Sequence, residues 1–361
     1  MTSLPDGFRK GRGALSNTES RFDSLSREAD AAMLADLEAL HGESPAPRTT
    51  IAIEPARTII SRNQSPDVPF DQSINMYRGC EHGCSYCFAR PNHAYLGLSP
   101  GLDFETKLFA KPNAATLLEQ ELRKKHYKPS VIALGTNTDP YQPIERKFEL
   151  TRGILEVLER FQHPVAITTK SFLVTRDIDI LARMARNGLA RVFISVTTLD
   201  ADIARKMEPR ASTPAKRIEG IRLLAEAGVP AGVLFAPVIP ALTDYDLENV
   251  LKACSEVGAT SAGFVMLRLP LEVHDIFIEW LEQHFPGRKQ HVLSIIENMR
   301  NGKHNDATFT SRMRGTGIFA ELVRKRFELA CRRFGLNQER HPLRTDLFRV
   351  PPEDSPQGSL F

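Results

Sequence analysis

The 361-residue chain has no run of 18 apolar residues, which leaves no candidate for a membrane-spanning helix. Its opening stretch, MTSLPDGFRKGRGALSNTES, has no apolar core of the kind a secretory leader needs. Cysteine is scarce. There are five, three of them within eight positions, a pattern unlike the disulfide framework of a secreted protein. These absences point to a reduced, cytoplasmic protein. Excess charge is lacking too, since 47 Lys and Arg against 44 Asp and Glu leave a formal +3. The imbalance is local. Residues 300–350 hold 12 Lys and Arg against five Asp and Glu. That excess is either the solvated face of amphipathic helices or a surface for a polyanion such as nucleic acid.

Hydrophobic residues at 42% and charged residues at 25% suffice for a large core without a metal or disulfide to hold it. Three regions are expected. In residues 1–66, the Gly-, Ser-, Arg- and Asp-rich segment 1–25 reads as a disordered arm, Ser26–Gly42 as a helix, and TTIAIEPARTIISRN as extended structure forming a hairpin. Residues 67–270 alternate apolar β-branched runs (VIALG, VAITTKS, VFISVTT, AGVLFAPVI, AGFVMLRL) with helical stripes. Continuous apolar strands spaced by helices predict a parallel sheet with right-handed crossovers. With a first strand near Asn75–Tyr77 there are six βα units, too few for a closed eight-stranded barrel. The expected fold is therefore α/β, a partial (β/α)6 TIM-like barrel. Residues 271–361 read as a basic, helical C-terminal extension.

The stretch MYRGCEHGCSYCFAR places Cys80, Cys84 and Cys87 in one short loop. Three thiolates can hold three irons of a cubane 4Fe–4S cluster and leave the fourth iron open. A structural zinc site or a ferredoxin cluster wants four protein ligands. His82 is too close in sequence for comfortable joint chelation, and Cys254 and Cys331 lie 167 and 244 residues beyond Cys87. A disulfide would strand one cysteine. The open-iron cluster is the reading these residues favour.

With Tyr86 directly before the third cysteine, the spacing Cys-x3-Cys-x2-Cys resembles the signature of the radical S-adenosylmethionine (radical SAM) superfamily. Together with TDPYQPIE, it is similar to the branch related to spore photoproduct lyase. The resemblance implies a partial barrel over residues 70–270 and a 4Fe–4S cluster on Cys80, Cys84 and Cys87. It further implies S-adenosylmethionine as the open iron's ligand, and an electron donor such as flavodoxin or ferredoxin. Reductive cleavage of the cofactor would give a 5′-deoxyadenosyl radical that takes hydrogen from a substrate, and nucleic acid is the leading guess for that substrate. That lyase uses a further barrel cysteine as hydrogen-atom donor, and no cysteine lies between Cys87 and Cys254. Its repair reaction is therefore not carried over.

The resemblance also implies cofactor contacts at the carboxyl ends of the strands. Tyr86 and Phe88 flank the third cysteine. In GTNTDPYQPIE, Gly135 permits a close backbone approach, and Thr136, Asn137 and Asp139 offer polar groups to the methionine amine, although these residues also suit a plain turn. Lys170 ends the next strand and suits a carboxylate. Ser195 matches a ribose-contacting position and shares a face with Thr197. Arg210 suits a carboxylate clamp or a salt bridge to Glu208 or Asp202. Val238 and Ile239 sit where adenine packs. Tyr141 and Glu145 are the substrate-side candidates, Tyr141 equally a core aromatic. Arg268, a charge in an apolar run, faces either a substrate pocket or a buried carboxylate. The rival reading is a non-enzymatic iron–sulfur or zinc protein, redox-sensing or nucleic-acid-binding, with His82 or Cys254 as fourth ligand. A scaffold that binds cluster and cofactor without turnover is a third.

Overall fold

The structure is a computed structural model, and it describes residues 11–23, 48–339 and 342–352. The helix expected over 26–42 lies outside them. Six parallel strands carry the fold: β1 Gln72–Ile74, β2 Ile132–Leu134, β3 Val165–Thr169, β4 Ala190–Ser195, β5 Ala231–Val238 and β6 Ser261–Met266. They pair in chain order, β1 to β6. A seventh strand, Ile60–Arg62, adds antiparallel to the outer edge of β1. It and β6 form the two ends of the sheet without pairing to each other, so the barrel is open, as the count of βα units predicted.

Burial explains the composition of these strands. Ile132, Val165, Ile167, Val192, Ile194, Val233 and Phe235 are all inaccessible to solvent. Helices α1 Ala114–Leu122, α2 Leu150–Arg160, α3 Ile178–Arg186, α4 Pro214–Glu226 and α5 Leu247–Glu256 fill the crossovers. Each buries one stripe; in α3 it is Ile180, Leu181 and Met184. Beyond the barrel come α6 Val273–His284, α7 Lys289–Met299 and α8 Gly317–Arg333, with α8 packed on α5 and α7. No described helix is long and apolar enough to cross a membrane.

Three details differ from expectation. The first strand is Gln72–Ile74 rather than Asn75–Tyr77. Asn75 leaves the sheet because its side chain ties the ends of β1 and β2 together, accepting from the N–H of Asn137 (3.2 Å) and donating to Thr136 Oγ1 (3.3 Å). The extended segment at 50–62 is not a hairpin. Thr50–Ile53 joins Lys107–Ala110 in a small second sheet while Ile60–Arg62 joins the barrel, and the Asn113 side chain pins Ala56 between them from both backbone directions. Residues 11–23, expected in a disordered arm, are packed against the domain, with Arg12, Ala14 and Ser20 buried.

Candidate functional site

β1 ends at Ile74, and the cysteine loop follows at the carboxyl edge of the sheet. Cys80 and Cys84 are buried, Cys87 half-buried, and none forms a disulfide. Burial pushes all three thiols up, and the cysteines are near enough to raise one another. Lys170 pulls Cys84 and Cys87 back, and Arg90 pulls Cys87. Thiolates here therefore call for cations that they ligate themselves. Among the described residues no three His, Cys, Asp or Glu side chains close on a single metal ion. A mononuclear site needs that convergence. A cluster does not, because each thiolate binds its own iron. The hydroxyl of Ser85, inside the loop, is buried with no hydrogen-bond partner, as a donor reserved for cluster or cysteine sulfur would be. The donor set fits an iron–sulfur cluster with one iron lacking a protein ligand.

Two buried carboxylates hold the loop. Glu105 pairs with Arg90, both side chains fully buried, and Arg90 donates onward to the carbonyls of Cys84 (2.9 Å), Pro100 (3.1 Å) and Gly101 (2.9 Å). The same carboxylate accepts from the N–H groups of Gly13 (3.0 Å) and Ala14 (2.8 Å), so the N-terminal strap is keyed onto the loop. A Cβ on Gly13 would sit 1.6 Å from the Gly83 carbonyl oxygen, which only glycine avoids. On the other flank Glu208 accepts from the Tyr86 hydroxyl, from Arg217 and from Thr197 Oγ1 (3.3 Å). The N–H of Ser85 donates to the Met207 carbonyl (3.0 Å). Sequence reasoning missed the first carboxylate and considered the second, Glu208, only as a partner for Arg210. A signal for the second existed, since Arg217 falls on the buried stripe of α4 with Pro214, Ile221 and Leu224, where a charge must meet a partner.

The remaining predicted residues divide. Lys170 reaches the loop, its ammonium 5.9 Å from the Tyr86 ring centroid. Arg210 is held beside the loop, its N–H to the His82 carbonyl (3.3 Å) and its guanidinium to Glu81 (3.1 Å) rather than to Glu208 or Asp202. Ser195 ends β4, buried, its carbonyl accepting from Arg217 (3.0 Å). Val238 ends β5 and Ile239 follows it, both buried. Phe88 is exposed.

Asp139 is engaged within the protein. It accepts from Thr169 Oγ1 (2.7 Å), from the N–H of Tyr141 (2.9 Å) and Lys170 (2.8 Å), and from His82 Nδ1 (3.4 Å). Burial opposes its charge, but His82 and these donors outweigh it and hold the carboxyl at about 2. With these four donors the Asp139 carboxylate anchors the loop. The close approach at Gly135 is likewise to the neighbouring strand, since a Cβ there would lie 1.9 Å from the Thr168 carbonyl oxygen. Thr136 is tied to Asn75. Asn137 accepts from Asn92 (2.6 Å) and lines a cavity of about 280 Å³ with Asn75, Asn92 and Lys111. Tyr141 is fully buried with its hydroxyl on Asp177 (3.1 Å), and Glu145 is a buried acceptor for Tyr77, Arg176 and Thr151. Both side chains are buried in the core of this structure. Cys254 lies inside α5, its thiol raised to about 12 by burial alone with no coupling to the loop cysteines.

With this geometry in view, the model of the Radical SAM superfamily matches residues 74–254, half of the chain. The chain belongs to the Radical SAM superfamily. It is 38% identical over 221 residues to an uncharacterised protein of Mycobacterium tuberculosis, the match covering 61% of this chain and 65% of that protein. The chain thus spans about two thirds of the length of that relative. An uncharacterised protein of Methanocaldococcus jannaschii is 28% identical over 213 residues, 59% of this chain and 76% of its own. Among solved structures, spore photoproduct lyase complexed with dinucleoside spore photoproduct superposes with a TM-score of 0.57 at 16% identity, over 80% of this chain and 81% of that one. That likeness is one of fold.

Proposed function

We propose that the protein is a radical SAM enzyme. The observation that carries this reading is the loop of three unbridged, inward-facing thiols at the carboxyl edge of an open six-strand sheet, with Arg90 and Lys170 as the cations beside them. Cys80, Cys84 and Cys87 would hold a 4Fe–4S cluster whose open iron takes S-adenosylmethionine. When bound, this pair supplies one-electron cleavage of the sulfonium bond and hence a hydrogen-abstracting radical. The protein's share is to hold and shield. Glu105 and Arg90 fix the loop backbone, Glu208 fixes Tyr86, and the strap covers the loop from outside. Lys170 is the cation best placed for the cofactor carboxylate, with Tyr86, Ser195, Arg210 and Val238 around the same rim. A flavodoxin or ferredoxin is the electron donor this chemistry calls for. The basic C-terminal extension makes nucleic acid the leading substrate class.

The sensor alternative requires a fourth protein ligand. Neither Cys254, isolated in α5, nor His82, committed to Asp139, favours it. The deciding experiment is anaerobic reconstitution followed by dithionite and S-adenosylmethionine, with 5′-deoxyadenosine measured by chromatography. Formation well above a Cys84→Ala control, with iron content unchanged in Cys254→Ala, is expected. Iron loss in Cys254→Ala together with no 5′-deoxyadenosine would overturn the reading.

A further inference from the structure

Arg268 follows β6 at the carboxyl rim, and its sequence context demands that it face something polar. In the structure it meets no carboxylate. Its guanidinium lies 4.8 Å over the ring of Phe88, one residue past Cys87, and no hydrogen bond or ion pair is found for it among the described residues. Its two arginine neighbours differ in what holds them, and the Nε of Arg300 is itself buried without a partner. Arg312 pairs with Asp67 (2.5 Å), and Arg300 donates to the carbonyls of Leu267 (2.7 Å) and Ser311 (2.7 Å), clamping the rim to the 306–314 loop. Asp306 accepts from Ser311 (2.6 Å) and from the N–H of Thr308 (2.9 Å). The charged groups that sense one another here are Arg268, Arg300 and Arg312 against Asp67 and Asp306, three positive and two negative, a surplus of one. Arg268 and Arg300 both lack a carboxylate partner among the described residues, but Arg300 is tied to two carbonyls and Arg268 to none.

Two exposed aromatics accompany it. Phe88 is 47% and Phe309 51% exposed, and each carries a guanidinium over its ring, Arg268 on the first and Arg312 on the second (4.9 Å). A half-buried unpaired cation is costly to keep unless a ligand uses it. Alternation of cations with exposed rings is the composition that binds a single strand, charge for phosphate and ring faces for bases.

We propose that Arg268, with Phe88 and Phe309, is a contact for single-stranded nucleic acid at the carboxyl rim of the barrel, beside the cysteine loop. The guanidinium takes one backbone phosphate, and the rings offer stacking faces to the bases. This deepens the substrate class of the proposed radical enzyme and rests on that reading for its catalytic meaning, but not for binding.

The test is fluorescence anisotropy of a labelled mixed-sequence 15-mer, as DNA and as RNA, on the reconstituted full chain over a range of salt. Arg268→Ala should weaken binding at least ten-fold and reduce the slope of log K against log salt by about 0.7, one single-strand phosphate. Phe88→Leu and Phe309→Leu should each weaken it by about five-fold or more at unchanged slope, the loss of one stacked base. Arg268→Lys should keep the slope, and exposed Lys252→Ala should change neither quantity. Circular dichroism melts confirm that each variant is folded. Arg268→Ala binding like wild type, an equal loss in Lys252→Ala, or a polyglutamate peptide competing as well as unlabelled oligonucleotide would each overturn the proposal. The titration needs neither reductant nor S-adenosylmethionine. Failure to form 5′-deoxyadenosine would therefore count against the radical reading alone, and failure here against this contact alone.

Discussion

At the cysteine loop, Arg90 and Glu105 face each other with both side chains fully buried, whereas on α4 Arg222 sits between Glu219 (2.7 Å) and Glu226 at the solvent-facing surface. By distance the two arrangements look alike. They differ in what surrounds them. The Glu105 carboxylate also receives two backbone N–H groups of the strap, and Arg90 three carbonyls, so each charge is fixed by several partners and has no water to replace one that is lost. On α4 water takes over whenever the pair opens. A buried pair of this kind is worth little against an apolar replacement, yet removing one partner is severe. Exposed pairs contribute little either way. Ion pairs therefore mark architecture here only where they are shared with backbone.

The sharpest way to break the comparison is Glu105→Gln. It strands the Arg90 charge and weakens the acceptor for Gly13 and Ala14, and a loss of about 3–5 kcal/mol in urea-denaturation stability is expected. A loss below about 1 kcal/mol would mean that the loop does not depend on this carboxylate. Next in size is Gly13→Ala. The added methyl cannot coexist with the Gly83 carbonyl, so the strap must shift, at about 1–3 kcal/mol. Limited proteolysis should cut this variant within residues 11–23 faster than wild type, and its reconstituted iron should bleach sooner in air. Unchanged cleavage would show the strap to be a passenger. The smallest effect belongs to Arg222→Ala, for which no detectable shift of the thermal midpoint is expected. A clear drop would erase the contrast from its other side.

How much of this was legible beforehand differs by element. The strands were, because a short run rich in apolar and β-branched residues between helical stripes reads as a strand, and Val165–Thr169 and Ala231–Val238 are such runs. The cysteines were, because three thiols in one loop have few uses. The strap was not. Its Gly, Ser and Arg residues read as solvated chain, and nothing local says that Gly13 and Ala14 present their N–H groups to a carboxylate 91 residues away in the case of Ala14. Asp139 and Tyr141 were ambiguous for the opposite reason. Residues suited to bind a ligand are equally suited to tie a loop, and only the positions of Thr169, His82 and Asp177 decide between the two uses. Arg268 was left open between a pocket and a buried carboxylate, and among the described residues no carboxylate pairs with it.

The order of apolar runs and the spacing of three cysteines determined, without coordinates, a parallel open sheet and a loop that gathers three thiols, because periodicity and residue spacing are properties of the local chain. The tertiary structure alone decided which polar groups at the rim are consumed by the fold and which remain unpaired. Hydrogen bonding is a contest among groups far apart in sequence, and only folding brings Glu105 to Gly13, Glu208 to Tyr86, and the ring of Phe88, with no carboxylate among the described residues, to Arg268.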